Sequence, residues 1–473
     1  MPNGTSYFEA RLSHLYAYKQ VVIIVRDITK QHKAAQTIRQ HAYFDSLTLL
    51  PYRFLSLDRL TQMLKEAQRN SESFALLFLD LDDFKKVNDS LGHEVGDKLL
   101  IEAANRLTLA LREADTVGRL GGDEFIVLLR ALADDNDAIK IAENLLRIFR
   151  EPFQIDSKEL ILTLSIGIVT YPENGSSASD LLRNADAAMY QSKMLGRNTY
   201  SFFTQEMNDI MLRRFEIEGQ LNTALEHDEF EVYYQPKIDI KNGSIIGAEA
   251  LLRWHNPILG NVTPDEFIPI AEHTGLIVPI GKYVIKQALR FLNEWNRVHQ
   301  QNYTIAVNLS LRQFRDKALI SFIQQSLIDE CIKPNSLEFE ITEGILMIGN
   351  SYIDDVLDEI NTLGIKLSMD DFGTGYSSLS YLRQYSFNIL KIDQSFISGI
   401  TSNKEYFDMV KATIAMSHSL DLLVAEGVET LEQLRLLEKI GCDLVQGYYF
   451  SKPLPAQKLM DFQYTASSSA NKN

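Results

Sequence analysis

The chain has 473 residues, 45% of them apolar and 23% charged, which excludes a disordered chain and gives enough length for two cores. Its 63 Asp and Glu against 47 Lys and Arg leave a net charge of −16, which excludes the basic stripe of a DNA- or RNA-binding surface. The two cysteines, Cys331 and Cys442, exclude a disulfide framework and point to a reducing compartment. The longest apolar runs, such as 21–25, are too short to span a bilayer, and the first residues carry no signal-peptide pattern, so the expectation is a cytoplasmic protein.

Residues 1–28 read as two strands, 7–12 and 21–28, with no matching core before them. Asp27-Ile28-Thr29 opens a linker helix over 29–42, with Thr29 as N-cap and Ala34, Ile38 and Ala42 on one face. So thin a stripe fits either a coiled-coil linker or a helix packed on the next domain. Strands and helices alternate over 43–204, the first expected domain. A strand ends at Asp80, a helix covers 97–112, and strands 116–120 and 125–129 flank Gly121-Gly122-Asp123-Glu124. A strand over 160–170 and a helix over 179–194 complete an α+β pattern with a mainly antiparallel sheet.

A linker helix over 205–226 leads to a second domain over 227–464, with 465–473 expected as a disordered tail. There the rhythm is helix, glycine, strand, acid, with Gly364 before 365–370 and Gly441 before 442–446. Eight strand starts near Glu231, Ile245, Thr304, Leu337, Ile365, Asn388, Leu422 and Cys442 predict a TIM-like (β/α)8 barrel. The fold class is α/β multidomain. Acids recur at the ends of the apolar runs: Asp80, Glu340, Asp370 and Asp371, Asp393, and Glu426. One such acid is an ordinary strand end meeting solvent. A series of them on one rim reads as a divalent-metal site for phosphate chemistry, because buried carboxylates are costly unless cations neutralise them.

In the first domain, a Gly-Gly tip lets backbone N–H groups approach phosphates, and Asp123 and Glu124 can join Asp80 around Mg²⁺ on a triphosphate. Asp80-Leu81-Asp82-Asp83-Phe84-Lys85, Asn88, Gly92-His93 and Gly96-Asp97 precede Arg119-Leu120-Gly121-Gly122-Asp123-Glu124-Phe125. Ser165-Ile166-Gly167-Ile168, 185–190, Lys193 and Gly196-Arg197-Asn198 follow. Together these resemble the GGDEF family of diguanylate cyclases from about His41 to Phe203. The resemblance implies that two GTP are joined into cyclic di-GMP across a face-to-face homodimer. Asp80, the Leu81 carbonyl, Asp123 and Glu124 would hold two metal ions, with Asp123 and Glu124 in the catalytic centre. Asn88 and Asp97 would read the guanine, and Lys85, Lys193, Arg197 and the Gly121-Gly122 backbone would hold phosphates. Arg112-Glu113-Ala114-Asp115 matches the family's product-inhibition motif, which makes Arg112 and Asp115 an inhibitory cyclic di-GMP site; outside that context they read as a helix-end pair. The family's usual Asp-x-Leu-Thr-Gly-Leu-Pro-Asn-Arg opening is here Asp45-Ser46-Leu47-Thr48-Leu49-Leu50-Pro51-Tyr52-Arg53, with Leu49 for Gly and Tyr52 for Asn, a departure that bears on cyclase output.

In the second domain, Glu249-Ala250-Leu251 followed by Arg253 resembles the signature of EAL-family cyclic di-GMP phosphodiesterases, over roughly 212–464. The further motifs follow in order: Tyr234-Gln235-Pro236, Asn308, Glu340-Ile341-Thr342-Glu343, Asp370-Asp371-Phe372-Gly373, Lys391-Ile392-Asp393, Glu426-Gly427-Val428-Glu429 and Gln446-Gly447-Tyr448. The family match implies metal ligands at Glu249, Asn308, Glu340, Asp370, Asp371 and Glu426, Lys391 and Gln446 beside the metals, and Gln235 and Arg253 on the dinucleotide. Two divalent ions lower the pKa of a bridging water and clamp an in-line displacement, and adjacent carboxylates such as Asp370-Asp371 suit that bridge. Lys391 is either the general base or the group orienting the water. The stretch 371–376 reads as the family's flexible loop that couples metal binding to dimerisation. The segment 421–425 is one residue shorter than usual, so Glu426 either stays aimed at the metals or turns away with a shifted register.

Residues 1–28 resemble the closing strands of a PAS sensor domain, too small a piece for a ligand pocket. The expected protein is a tandem GGDEF–EAL enzyme with Mg²⁺ or Mn²⁺, two ions per active site, hydrolysing cyclic di-GMP to pGpG and motif-complete for its synthesis from GTP. The alternatives are a GGDEF domain that senses GTP and regulates the phosphodiesterase, and a non-catalytic cyclic di-GMP receptor.

Overall fold

The computed structural model of the chain describes residues 6–15, 20–30, 43–132, 135–156, 158–346, 351–373, 385–419, 423–424 and 427–463. These divide into two compact units between Leu212 and Arg213.

The first unit is organised by its central strand, Phe74–Leu81, buried along its whole length. Successive residues of a strand face opposite sides. Accordingly Ala75, Leu77, Leu79 and Leu81 pack with the helices His93–Leu109 and Asp135–Phe149, while Phe74, Leu76 and Phe78 pack with Arg53–Asn70 and Ala178–Met194. The sheet runs Thr116–Gly121, Glu124–Leu129, Phe74–Leu81, Leu164–Tyr171, Thr199–Phe202, antiparallel throughout except for the last pair. The mainly antiparallel α+β expectation therefore holds. The strand expected over 160–170 is two pieces. Lys158–Leu160 pairs with Phe153–Ile155, and the sheet strand begins at Leu164. The break falls at Thr163, whose carbonyl accepts the Asp82 N–H at 2.9 Å and whose hydroxyl donates to the Asp82 carboxylate at 2.6 Å.

Phe8–Leu15 and Gln20–Asp27 form an antiparallel ribbon. Asp27 accepts the Thr29 N–H at 2.8 Å and the Thr29 hydroxyl accepts the Tyr7 N–H at 2.8 Å, while the N–H groups a Thr29 cap would bind lie outside the described residues. The linker helix beyond Lys30 lies outside the described residues, as does the tail expected over 465–473.

Both departures from the expected domain opening have a structural counterpart. Leu49, where the motif has Gly, sits in the left-handed region at φ 60° and is 75% exposed. Tyr52, where it has Asn, is the N-cap of Arg53–Asn70 and gives it no side-chain cap bond. A left-handed Leu costs roughly 1–2 kcal/mol, and Gly gives back about 0.5–1 kcal/mol through the unfolded chain. Leu49→Gly should therefore raise stability by up to about 1 kcal/mol, read as a higher thermal midpoint of the first unit; a lower midpoint would refute this.

In the second unit, strands begin at Phe230, Ile245, Thr304, Leu337, Lys366, Ile389, Leu423 and Leu444, each within two residues of the eight expected starts. From Ile245–Asn256 to Leu423–Val424 neighbouring barrel strands pair in parallel, with helices such as Ile277–His299 and Ser351–Thr362 between them, giving a TIM-like barrel. One detail departs from a uniform (β/α)8 repeat. Phe230–Asp239 is antiparallel to both its neighbours, Ile245–Asn256 and Leu444–Val445. The cause is local: residues 240–244 are too few for a helical crossover, and the Asp239 carboxylate accepts the backbone N–H groups of Lys241 and Asn242 to close a tight turn. Left-handed Gly364 and Gly441, at φ 80° and 88°, end helices where expected and turn the chain into the next strand. Among the described residues no helix is long and apolar enough to cross a membrane.

Candidate active sites

In the first unit, Asp80 lies on the sheet face covered by Arg53–Asn70 and Ala178–Met194, directly across from Glu124. That placement lets Lys193 reach Asp80 Oδ1 at 2.7 Å. Burial outweighs this lysine and pushes the Asp80 carboxyl up to about 6; Glu124 is also raised, by burial and then by Asp186 and Asp123. The Asp123 carbonyl accepts the Leu81 N–H at 3.3 Å. The Arg119 guanidinium fixes the hairpin, donating to the Gly122 carbonyl at 2.7 and 3.0 Å and to Asp45 Oδ1 at 2.8 Å. Gly122 has φ 51°, and a Cβ at Gly121 or Gly122 would meet no atom within 4 Å, so the tip is open to a large anion.

Around this centre, Asn88 Oδ1 is a buried acceptor with no hydrogen-bond partner among the described residues, and a Cβ on Gly96 would come within 2.0 Å of it. The missing side chain at Gly96 thus makes room for an amide still short of a donor. Asp97, Lys85 and Arg197 are exposed, and the N–H of Asn198 ties the Arg197 turn to Asp82 at 3.1 Å. Asp115 accepts the backbone N–H groups of Arg112 and Arg130 at 3.2 and 3.4 Å, which leaves the Arg112 side chain exposed.

The barrel site is built from residues of five strands, with Asn308, Glu340, Asp370 and Lys391 in the C-terminal halves of theirs and Glu249 midway along Ile245–Asn256. Glu249 lies opposite Gln235, Asn308 beside Glu340, and Asp370 beside Thr342. Asn308 Nδ2 donates to Glu249 Oε1 at 2.8 Å, and Gln446 Nε2 donates to Glu249 Oε2 at 2.6 Å and to Gln235 Oε1 at 3.0 Å. Gln446 Oε1 is a buried acceptor without a partner among the described residues. At the centre, Lys391 Nζ lies 2.6 Å from Glu340 Oε2, 3.2 Å from Asp370 Oδ1 and 3.8 Å from Glu249 Oε2. Asp371, at φ 57°, donates its N–H to Asp370 Oδ1 at 3.0 Å. Arg253 lies further along the Glu249 strand, donating to the Leu252 carbonyl at 2.8 Å with its guanidinium 5.6 Å from the Tyr233 ring. Glu426, 421–422, 425 and the loop beyond Gly373 lie outside the described residues; Leu423 and Val424 keep parallel register with Ile389 and Leu390.

Burial, then Glu340, pushes the Glu249 carboxyl up to about 7, and burial, then Asp370, pushes Asp371 to about 6. Asp370 is also raised, by burial. Glu340 is equally buried, but Lys237 and Lys391 hold it down to about 2. Among the described residues, Glu249, Glu338, Glu340, Asp370 and Asp371 set five carboxylates against the two ammonium groups of Lys237 and Lys391. Among the described residues no three His, Cys, Asp or Glu side chains converge closely enough to hold a cation as they stand, since the Lys391 ammonium lies between the acids. The donor set fits divalent cations nonetheless: oxygen ligands, excess negative charge and the unpartnered Gln446 Oε1.

A pH dependence follows. Folded Glu249, Asp370 and Asp371 bind protons that the unfolded chain has released, so the stability of the metal-free barrel falls as pH rises from about 4.5 to 7. Glu340 titrates below that window. Both tryptophans, Trp254 and Trp295, lie in the barrel core, so their fluorescence reports its unfolding. The unfolding free energy should drop by an amount on the order of 2 kcal/mol between pH 5 and 7.5, read as a lower denaturation midpoint, and Mn²⁺ should reverse the drop. A midpoint that rises over that range in chelator contradicts the assignment.

Several residues of these sites were not singled out from the sequence. Lys237, buried, donates to Glu338 and Glu340 at 2.9 and 2.8 Å. Asp82 accepts from Thr163, Ser165 and Asn198, and Asp186 is raised by burial beside Glu124. The available signal was polar residues two apart in a strand or at its end, as in Gln235/Lys237, Glu338/Glu340 and Asp80/Asp82.

Two family models match the chain: the diguanylate cyclase GGDEF domain over residues 42–199 and the EAL domain over residues 218–453. The chain is 42% identical over 433 residues to the bifunctional diguanylate cyclase/cyclic di-GMP phosphodiesterase MucR of Pseudomonas aeruginosa, covering 91% of this chain and 63% of that protein. It is 36% identical over 454 residues to the cyclic di-GMP phosphodiesterase PdeR of Escherichia coli, covering 95% and 68%. It thus spans about two thirds of the length of these relatives. A solved structure of the PaMucR phosphodiesterase in complex with c-di-GMP matches with TM-score 0.50 and 38% identity, over 52% of this chain and 99% of that one. With both models matched in tandem, the chain belongs to the GGDEF–EAL family.

Proposed function

We propose that this protein turns over cyclic di-GMP, its barrel hydrolysing the dinucleotide to linear pGpG. The observation that carries this reading is the buried cluster in which Glu249, Glu340 and Asp370 surround Lys391 inside the barrel. Glu249, Asn308, Glu340, Asp370 and Asp371, with Glu426, would hold two Mg²⁺ or Mn²⁺ ions. When bound, these supply a water of lowered pKa and clamp the oxygens of an in-line phosphoryl displacement. Gln446 and Asn308 keep Glu249 oriented through one hydrogen bond to each carboxylate oxygen. Lys391 holds the attacking water as a donor, its ammonium stabilised by the same acids. Gln235 and Arg253 bind the dinucleotide, Arg253 by pairing with a phosphate.

In the first unit, GTP is bound with its guanine on Asn88 and Asp97 and its phosphates on Lys193, Lys85, Arg197 and the Gly121-Gly122 backbone. The unpartnered Asn88 Oδ1 supports that placement, since guanine offers donors. Asp80, Leu81, Asp123 and Glu124 would hold the metal there, Arg112 and Asp115 would take product, and a homodimer in the cytoplasm would bring two GTP together. A second reading has specific support: the strained Leu49 and the uncapping Tyr52 alter the opening turn, which favours a unit that binds GTP and regulates the barrel. The test is incubation with cyclic di-GMP and Mn²⁺, with and without GTP, followed by nucleotide chromatography. Formation of pGpG supports the hydrolase, faster formation with GTP supports the regulatory reading, and cyclic di-GMP appearing from GTP alone supports the cyclase. Intact cyclic di-GMP in every sample overturns the hydrolase reading in favour of a receptor.

A further inference from the structure

Glu338 is not one of the proposed metal ligands, yet it is 1% exposed inside the barrel. Its carboxylate accepts from Lys237 Nζ at 2.9 Å, and the same ammonium donates to Glu340 Oε1 at 2.8 Å. Glu338 and Glu340 stand two apart on one strand and therefore on one face, turned towards Lys237 of the first strand. Glu340 thus divides its two oxygens between two lysines, Oε1 to Lys237 and Oε2 to Lys391.

An ammonium 2.8 Å from a metal ligand repels a divalent cation on that ligand, and repulsion is weakly screened in a buried site. Lys391 reaches Asp370 and Glu249 as well as Glu340, so its charge is shared among acids of the site itself. Lys237 is offset by Glu338, which stands two residues before Glu340 on Leu337–Thr342 and is not among the proposed ligands. We propose that Glu338 is a positioning residue that sets the barrel's affinity for divalent cations by neutralising Lys237, so that Glu340 presents its full charge to the metal. This rests on the metal-dependent reading above.

The test is Mn²⁺ binding to the full chain without nucleotide, read from the electron paramagnetic resonance signal of free Mn²⁺. Glu249→Ala first identifies the binding class that belongs to the barrel. Glu338→Gln keeps an acceptor for Lys237 and removes only the charge; it should weaken that class by about tenfold or more, within the roughly 10–100-fold range of outer-shell partners. The double variant K237M/E338M removes both charges and fills the site with apolar volume, a change buried pairs tolerate. It should recover most of the affinity lost in Glu338→Gln, which a merely structural role for Glu338 would not allow. Wild-type affinity in a folded Glu338→Gln overturns the proposal. If that variant does not fold, a loss of about tenfold or more in K237M/E338M overturns it, and near-wild-type affinity there supports it. Mn²⁺ binding untouched by Glu249→Ala would sink the metal-dependent reading itself and this inference with it.

Discussion

Glu249→Ala should reduce cyclic di-GMP hydrolysis by more than about 100-fold, beyond the roughly 10–100-fold that removal of an outer-shell group costs a metal site. Glu249 is where three supports converge: Asn308 holds Oε1, Gln446 holds Oε2, and Lys391 lies 3.8 Å from Oε2. Truncation removes a proposed ligand and leaves the Asn308 and Gln446 amides without the acceptor that aims them. The fold should survive, because an apolar methyl replaces a carboxyl that burial and Glu340 already keep partly protonated near neutral pH. The measurement is pGpG formation at saturating Mn²⁺, with tryptophan fluorescence confirming the folded barrel. Undiminished turnover would remove the metal assignment at Glu249. A loss that extra Mn²⁺ fully restores would instead show that Glu249 contributes affinity alone.

How far this site could be read from the sequence depended on which physical signal each residue carries. Strand starts were legible because a buried strand needs an apolar run and each run was punctuated by glycine or an acid, as at Gly364 and Asp370-Asp371. The direction of the first barrel strand was not. It is set by five residues of turn, 240–244, and by the Asp239 carboxylate that closes it, which no periodicity reveals. Glu249, Glu340, Asp370 and Lys391 were found through motifs, and the structure brings their charged ends together. Lys237 and Glu338 have no spacing that marks them as partners. They are 101 positions apart and meet because the barrel turns both inward. Likewise Asp45 and Arg119, 74 apart, meet only once the domain opening folds back on the hairpin. A motif gives a residue's type and neighbours, whereas charge compensation depends on the far side of the sheet.

Lys391→Met should destabilise the metal-free barrel by about 3–5 kcal/mol, the cost of leaving a buried charge partner uncompensated. The Lys391 ammonium is 2% exposed and is the cation shared by Glu340, Asp370 and Glu249. Without it Lys237 is the ammonium left facing the acids among the described residues, and Glu340 loses one of the two partners that hold its carboxyl low. Protonation can relieve part of this, so the deficit should shrink at pH 5 and widen at pH 8, the sign that follows from acids raised by burial. Divalent cations offset the same carboxylates, so saturating Mn²⁺ should stabilise the variant by more than it stabilises the wild type. Hydrolysis should stay lost in both conditions, because the metal replaces the charge of Lys391 and not its hydrogen bond to the attacking water. Denaturation followed at Trp254 and Trp295, with chelator and with Mn²⁺ at both pH values, separates these terms. A variant as stable as the wild type in chelator would mean that the acids around Lys391 are neutral in the resting protein, and that the lysine enters the site only with the metal.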